Sequence, residues 1–514
     1  MPYGKQTKRK SLTNKVFLLN FAIKINLCGA THYTVMAIVL SILYYILLIL
    51  YIYMVVVAIS VVLLDNRNPV KQIAWIVCLI LLPVVGLVFY VFFGRNYREN
   101  KFFSPKDFTN SPIRKKPDYD TELAKLKKSN IPYYFHKSAQ LLIKSSNAPL
   151  YADTDFDILT SGEESFERIF EDIENAKEHI HIEFFIIEDD NIGNQLRRLL
   201  IRKAQERVKV RIIYDYLGAF RLSESYKQSL KNEGVFLHAF MPFGLKFGFS
   251  KINYRNHRKI IVIDGKIGYT GGINIADRYI KGNRLGKWRD TIVRMNGEAV
   301  HGLQNLFLTD WYFVDKRLIT DDKYYPTPQT YRKNYTQIVN SGPDTDWESI
   351  LQGLLTVFSN AKKHIYIHTP YFLPPESLMI AIQMAALSGV DVRLMLPMKS
   401  DTIIASAASS SYFLNILESG ARIFLYQNNF LHSKAITVDD EVGIVGTANI
   451  DNRSFEHNYE VSAFIYDRQT ATTMREAFEN DLLSCKEIEL ASWINRKLFT
   501  RIKESLARLL SPLL

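Results

Sequence analysis

Cysteine is scarce in this chain. Three cysteines among 514 residues, Cys28, Cys78 and Cys485, exclude a disulfide framework and a cysteine-built zinc ribbon. Acidic residues are absent before Asp65, and charge of either sign is absent from residues 35–64 and 72–93. Against these gaps stand 47% apolar residues, enough for packed cores, so a chain disordered throughout is excluded. At about 150 residues per domain, the length allows roughly three domains. Lys and Arg number 64 against 52 Asp and Glu, a net charge of +12. That balance suits an anionic partner: nucleic acid, an acidic membrane surface or a phosphorylated substrate.

Each uncharged run exceeds the roughly 20 residues a helix needs to cross about 30 Å of hydrocarbon. Each is also too long for the apolar stretch of a cleaved signal peptide, about 7–15 residues. Residues 65–71 (DNRNPVK) are short and turn-rich, which predicts a two-helix transmembrane hairpin within 34–94, with spans over about 35–64 and 72–93. The basic arm, residues 1–33, carries Lys5, Lys8, Arg9, Lys10, Lys15 and Lys24. Arg95, Arg98, Lys101 and Lys106 follow the second run, whereas the loop holds only Arg67 and Lys71. Basic residues stay on the cytoplasmic side, so both ends and everything downstream belong there. Residues 17–25 hold Asn20 and Lys24 and read as interfacial. Residues 95–148, punctuated by Pro105, Pro112 and Pro117, read as a tether.

The remainder repeats itself. Residues 175–182 (NAKEHIHI) match 360–367 (NAKKHIYI), and 208–212 (VKVRI) match 390–394 (VDVRL). Residues 232–237 match 418–423 more loosely, and His257-Arg258-Lys259 matches His432-Ser433-Lys434. The order is kept, which indicates a duplicated unit of roughly 180 residues. Helical stretches precede β-branched strands in each copy, so the halves, 149–328 and 329–514, are expected to be α/β with Pro326 and Pro328 at the linker.

Each copy carries His, one residue, Lys, four residues, Asp: His257, Lys259 and Asp264, then His432, Lys434 and Asp439. Residues two apart on a strand share a face, so each His would project beside a fixed positive charge. Asp264-Gly265 also reads as a hairpin turn. Next come GGIN (271–274) and GTAN (446–449). Glycine lets backbone approach a phosphate, and the amides of Asn274 and Asn449 can donate to its oxygens. Meeting across a pseudo-twofold interface, these residues suit phosphodiester chemistry. One His attacks phosphorus while the other protonates the leaving alkoxide. Lysine and asparagine hold the non-bridging oxygens, so neither metal nor other cofactor is expected. Opposite protonation needs predict a bell-shaped pH profile. His181, His364 and His368 read as structural, with no metal-ligand spacing. The residues leave open which His attacks. They also leave open group transfer, hydrolysis by a phospholipase or nuclease, and a non-catalytic binder of anionic lipid. Half of the net charge lies in the arm, which weakens the nucleic-acid reading. From residue 492 onward, Arg496, Lys497, Arg501, Lys503 and Arg508 interleave with Leu498, Phe499, Ile502, Leu506 and Leu509. That pattern predicts a basic amphipathic helix, lying on an anionic leaflet or docked on the second half.

The paired pattern resembles the HKD motif of the phospholipase D superfamily. Stretches at 82–86 (LPVVG), 93–96 (FGRN), 369–372 (TPYF), 446–455 (GTANIDNRSF) and 505–512 (SLARLLSP) extend the resemblance, over nearly the whole chain, to bacterial cardiolipin synthases. The resemblance implies an α/β fold of two tandem phospholipase D-like domains that form one active site, behind the transmembrane hairpin in a bacterial cell membrane. It implies a covalent phosphatidyl-histidine on His257, with His432 as general acid and then base. It places an orienting carboxylate about thirty positions beyond each His, which Asp290 and Glu460 fit. The implied reaction joins two phosphatidylglycerol molecules into cardiolipin and glycerol, without a nucleotide. The implied partners are phosphatidylglycerol and anionic membrane lipids, not nucleic acid.

Overall fold

In the computed structural model, the described residues are 6–64, 69–90, 117–242, 253–330, 332–427 and 429–511. The chain divides into two units, Met1–Asn96 and Tyr97–Leu514.

In the first unit, helix α1 runs Gln6–Leu64. Its segment Thr34–Leu64, with mean hydropathy 3.0, is the one described stretch long and apolar enough to cross a membrane. Residues 17–25 continue this helix and form no separate interfacial piece. The second apolar run departs from expectation. It forms α2 (Pro69–Leu81) and α3 (Pro83–Phe89), broken at Leu82 with φ −129 and ψ 69. Proline has no N–H to continue a helix but is suited to begin one, so Pro83 ends α2 and opens α3. A Cβ on Gly86 would stand 2.7 Å from the Cys78 carbonyl oxygen, so α3 turns back on α2. Neither piece alone reaches across about 30 Å. Ala58 and Val62 of α1 pack on Leu79 of α2, and Gln72 Nε2 donates to the Val62 carbonyl at 3.0 Å. The loop 65–68, the end of the run at 91–93 and residues 95–116 of the expected tether lie outside the described residues.

The rest of that tether is folded. Tyr119–Lys128 and His136–Ser146 are helices of the second unit. Phe135, Ala139, Leu142 and Ile143 follow a helical period and pack with Leu354, Phe358 and Ile365 of the second copy. The spacing was present in the sequence, but the prolines around it masked two short elements.

The duplication appears strand for strand. The first sheet runs Thr154–Leu159, Ile292–Gly297, Ile267–Gly271, Ile260–Ile263, His179–Phe184, Lys209–Asp215 and Phe236–Phe240. The second has a matching series, Tyr335–Ser341, Asn458–Tyr466, Val442–Gly446, Ala435–Val438, His364–His368, Asp391–Pro397 and Arg422–Tyr426, extended at its edges by antiparallel Tyr151–Ala152 and Cys485–Glu487. In both matching series, the last three strands are parallel and the others antiparallel. Parallel strands need helical crossovers and are buried on both faces, which explains the α/β pattern and apolar runs such as 260–263. Ile260, Val262, Val293 and Met295 of the first sheet meet Val445, Val461, Ala463 and Ile465 of the second in one shared core. This shared core fixes the two copies face to face.

Candidate active site

The two aspartates of the repeated pattern go to the turns. Asp264 and Gly265, with φ of 53 and 65, form the tight turn after Ile260–Ile263, and Asp439 and Asp440, with φ of 58 and 57, form its counterpart. The Asp264 carboxylate accepts the backbone N–H groups of Lys177 and Glu178 at 2.8 Å and of His179 at 2.9 Å. Asp439 does the same for Lys362, Lys363 and His364, at 2.8, 2.7 and 3.0 Å. Each aspartate therefore anchors the start of a central strand, one strand length away from its histidine. The structure does not bring Asp264 and Asp439 to the chemistry.

The histidines are brought together by short strands that cross between copies. Arg255–Asn256 pairs in parallel with Asn458–Tyr459, and Phe430–Leu431 pairs in parallel with Trp288–Arg289. The His257 N–H then donates to the Tyr459 carbonyl at 3.0 Å, and the His432 N–H to the Arg289 carbonyl at 2.8 Å. Each histidine thus lies beside the next residue of the other copy's strand, Glu460 or Asp290. His257 Nδ1 is 2.9 Å from Glu460 Oε1, and His432 Nδ1 is 2.7 Å from Asp290 Oδ2. The carboxylates are exchanged: each orients the imidazole of the other half. Both histidines precede a strand rather than lie on one, so the alternation expected for His and Lys does not apply.

Around this pair the side chains are asymmetric. Glu460 also accepts from Asn458 Nδ2 at 3.2 Å and from the Thr447 hydroxyl. Asp290 accepts the Thr291 N–H at 2.8 Å. A Cβ on Gly272 would stand 2.0 Å from Asp290 Oδ1, so the second glycine of GGIN makes room for this carboxylate. Its repeat counterpart is Thr447, which instead bonds the longer Glu460. Each lysine donates to the carbonyl of its own histidine, Lys259 to His257 at 2.8 Å and Lys434 to His432 at 2.5 Å, but only Lys434 Nζ also lies 3.0 and 3.1 Å from the two ring nitrogens of His432.

Both histidines open on one cavity of ≈ 720 Å³. Asn274 and Asn449 line it, with Phe185 and Trp288 as apolar walls; Lys259 and Lys434 are buried against their own histidines. Phe185 packs 5.0 Å from the His257 ring and Trp288 5.1 Å from the His432 ring. Asn274 is held at both ends of its amide, accepting from Ile186 N–H at 3.2 Å and donating to the Tyr279 hydroxyl at 2.7 Å.

Burial dominates the titration of the site. It pushes His257 down to about 4 against the opposing pull of Glu460, and lowers His432 well below its ordinary value, aided by Lys434 and Lys259. It lowers Lys259 to about 7 and Lys434 to about 8. It raises Asp290 to about 6, while His257, Lys259 and Thr447 overcome it at Glu460 and hold that carboxyl below its ordinary value. The lowered value favours an uncharged His257 imidazole at neutral pH, and the contact with Glu460 suits a proton on Nδ1, which would leave Nε2 facing away from that carboxylate.

The sequence profile described as "Cardiolipin synthase, PLD-like domain" matches residues 169–311 and 354–482, one segment in each copy. A phospholipase D-nuclease N-terminal profile matches 49–95. A cardiolipin synthase of Halalkalibacterium halodurans is 40% identical over 457 residues, 88% of this chain and 91% of that protein. The major cardiolipin synthase ClsA of Bacillus subtilis is 39% identical over 467 residues, 90% of this chain and 97% of that one. The chain belongs to the cardiolipin synthase family. Its fold is similar to that of a phosphatidylserine synthase from Haemophilus influenzae, with TM-score 0.55 and 18% identity over 74% of this chain and all of that one.

Thr447 and Gly272 are the residues of this family site that sequence reasoning missed or misread. The signal was there, because the two tetrapeptides differ at this position in step with Asp290 and Glu460. Among the described residues, no group of three or more His, Cys, Asp or Glu could hold a metal ion. His181 and His368 are structural: the first is bonded to Gln304, the second to Asp481 at 3.1 Å.

Proposed function

We propose that the protein makes cardiolipin from two molecules of phosphatidylglycerol. The observation that carries this reading is the pair of buried histidines facing one cavity, each oriented by a carboxylate from the other copy. His257 Nε2 attacks the donor phosphorus, and the bond to the headgroup glycerol breaks. His432 gives that glycerol oxygen a proton, and glycerol leaves. The terminal hydroxyl of a second phosphatidylglycerol then passes its proton to His432 and attacks phosphorus. The P–N bond breaks, which frees cardiolipin and His257. Lys259, Lys434, Asn274 and Asn449 hold the non-bridging oxygens, where negative charge grows. Burial disfavours the charged form of both histidines in the empty site, so His432 takes its proton from solvent as the anionic lipid binds, because the lipid's charge raises an imidazole pKa.

The test uses purified protein in detergent with labelled phosphatidylglycerol as the only lipid. Cardiolipin and glycerol in equal amounts are expected, and neither from His257→Asn. Phosphatidic acid as sole product would make the protein a hydrolase instead.

A membrane setting suits this substrate. Residues Thr34–Leu64 supply the span, and the excess of basic residues before it and after residue 93 over those at 65–71 supports a cytoplasmic catalytic unit. Arg67→Cys and Arg98→Cys test the orientation by labelling intact cells with an impermeant thiol reagent. Label at 67 alone is expected; label at 98 overturns it. The C-terminal helix Leu498–Arg508 combines both sequence readings. It docks through buried Glu504, bonded to Arg496 at 2.6 Å, yet leaves Leu498, Phe499, Ile502 and Leu506 exposed. It packs on the helix Ile403–Ser410, whose Ala405 lines the cavity and whose Ile403 and Ile404 are also exposed. This apolar rim, with Arg501, Lys503 and Arg508, suits the surface of an anionic leaflet beside the cavity mouth.

A further inference from the structure

Transfer between two lipids presents the enzyme with two phosphodiesters at once. One reacts between the histidines. The other stays intact on the acceptor, one glycerol away. Lys259, Lys434, Asn274 and Asn449 are assigned to the reacting phosphate, so the second anion needs a cation of its own.

The cavity wall supplies candidates. Residues 271–278 (GGINIADR) and 446–453 (GTANIDNR) align without a gap, at the same offset as His257 and His432. The repeat therefore makes Arg278 and Arg453 counterparts, and both line the cavity. They stand at different poles. The Arg278 guanidinium lies 5.4 Å from the Trp288 ring, which is 5.1 Å from the His432 ring. Glu188 fixes Arg278 Nη1 at 2.9 Å, while its buried Nε has no hydrogen-bond partner among the described residues. Arg284 lines the same wall from the tight turn Asn283–Gly286, exposed and with no ion pair to a described residue. Arg453, in contrast, bears electrostatically on Arg255, two residues before His257.

Attack on a phosphatidyl-His257 comes in line, from the side opposite His257, where His432 takes the proton. The acceptor glycerol enters there, and its phosphate lies beyond it on the wall of Trp288. The geometry points to Arg278, with Arg284, as the binding site for the phosphate of the acceptor lipid. A guanidinium whose Nε–H has no partner among the described residues, held by one carboxylate and lying 5.4 Å from an indole ring, is preorganised for such an oxyanion. Asp401, bonded to the Tyr371 hydroxyl at 2.6 Å, is a carboxylate of the same cavity and suits the hydroxyls of the bridging glycerol. The site rests on the reading above, including His257 as nucleophile.

Two reactions of the full-length enzyme in detergent separate the acceptor phosphate from the reacting one. Exchange of labelled glycerol into phosphatidylglycerol needs only the reacting phosphate. Cardiolipin formation needs both. Arg278→Gln is expected to lower cardiolipin formation by about tenfold, the scale of a lost charge-assisted hydrogen bond, with glycerol exchange within about threefold. Arg284→Gln, at an exposed position, is expected to show the same selectivity with a smaller loss, of about threefold. Arg453→Gln is expected to lower both reactions together. Equal loss of both reactions in Arg278→Gln with no selectivity in Arg284→Gln overturns the assignment. So does no loss in either, or selectivity found in Arg453→Gln instead. An unsubstituted enzyme that exchanges glycerol but forms no cardiolipin sinks the functional reading, and the acceptor site with it, before any arginine is changed.

Discussion

Glu460→Gln removes one charge at the centre of the site and keeps the shape. In the resting enzyme, His257 is neutral, so its bond to Glu460 is worth little more than the bond an amide oxygen would make, about 1 kcal/mol. As Nε2 bonds to phosphorus, the ring takes on positive charge, and the carboxylate 2.9 Å from Nδ1 then matters. At that separation and an effective permittivity of about 20, a unit charge gains roughly 6 kcal/mol. The glutamine dipole recovers part of this, which leaves about 3–5 kcal/mol, or roughly 10²–10⁴ in kcat. KM should move less than about threefold at pH 6, because the term is absent from the ground state. Lys259 also loses a neighbour that supports its charge, so the alkaline fall in activity should shift to lower pH. The assay is the initial rate of cardiolipin formation from labelled phosphatidylglycerol over a range of concentrations, with a thermal melt to confirm the fold. A folded Glu460→Gln enzyme within threefold of the parent kcat would refute the claim that a carboxylate of one copy drives the histidine of the other.

Four further outcomes follow. Gly272→Ala should push aside the Asp290 carboxylate, since the new Cβ would stand 2.0 Å from Oδ1; a loss of about 10² or more in kcat with a near-parental melt is expected. Asp264→Ala should cost about 2–4 kcal/mol of stability through three lost backbone hydrogen bonds, while kcat per folded molecule stays within about threefold. The profile of kcat/KM against pH should be bell-shaped, falling on the acid side as His257 gains a proton and on the alkaline side first as His432, the general acid, loses its proton and then more steeply as Lys259 and Lys434 lose theirs at about 7 and about 8; a flat profile from pH 5 to 9 contradicts it. Replacing exposed Leu498, Phe499 and Ile502 with Ser should weaken binding to anionic vesicles by about tenfold in protein lacking residues 1–96, and unchanged binding would remove the helix from the membrane surface.

Much of this was legible in the sequence because the duplication supplied a control for every motif. A lone His-x-Lys is weak, but His257 and His432 with matched neighbours at one offset identified the pair that lines the cavity. Asp290 and Glu460 were legible as carboxylates at a family spacing, yet that spacing could not show the exchange between copies, since sequence distance says nothing of which strand a short bridge will join. Asp264 and Asp439 carried two readings, catalytic and turn, because a pattern repeated around a histidine also records turn geometry, here a φ near +55 and three N–H groups to be satisfied. The second apolar run was read from composition, which counts charges and lengths but not the break that Pro83 imposes. The helices after Tyr119 were lost among prolines because each is short, and their stability comes from the core of a domain that begins 200 residues later.

A single copy of the repeat holds a histidine with a lysine behind it and a carboxylate about thirty residues on, but its own carboxylate does not reach its own histidine in this fold. The short strands at Arg255–Asn256 and Phe430–Leu431 exist only as pairs with the other copy, and they set both imidazole tautomers. The alignment of both histidines is therefore a property of the interface, and the apolar core between the sheets is what holds it in register. Val293 and Val461 lie in that core, close in sequence to Asp290 and Glu460. A substitution that spreads the sheets, such as Val461→Ala, should thus lower activity by more than its loss of stability explains, because a shift of about 1 Å at the short strands detunes both histidine–carboxylate bonds at once. Activity that tracks only the folded fraction across such a core series would show instead that each half keeps its own histidine aligned.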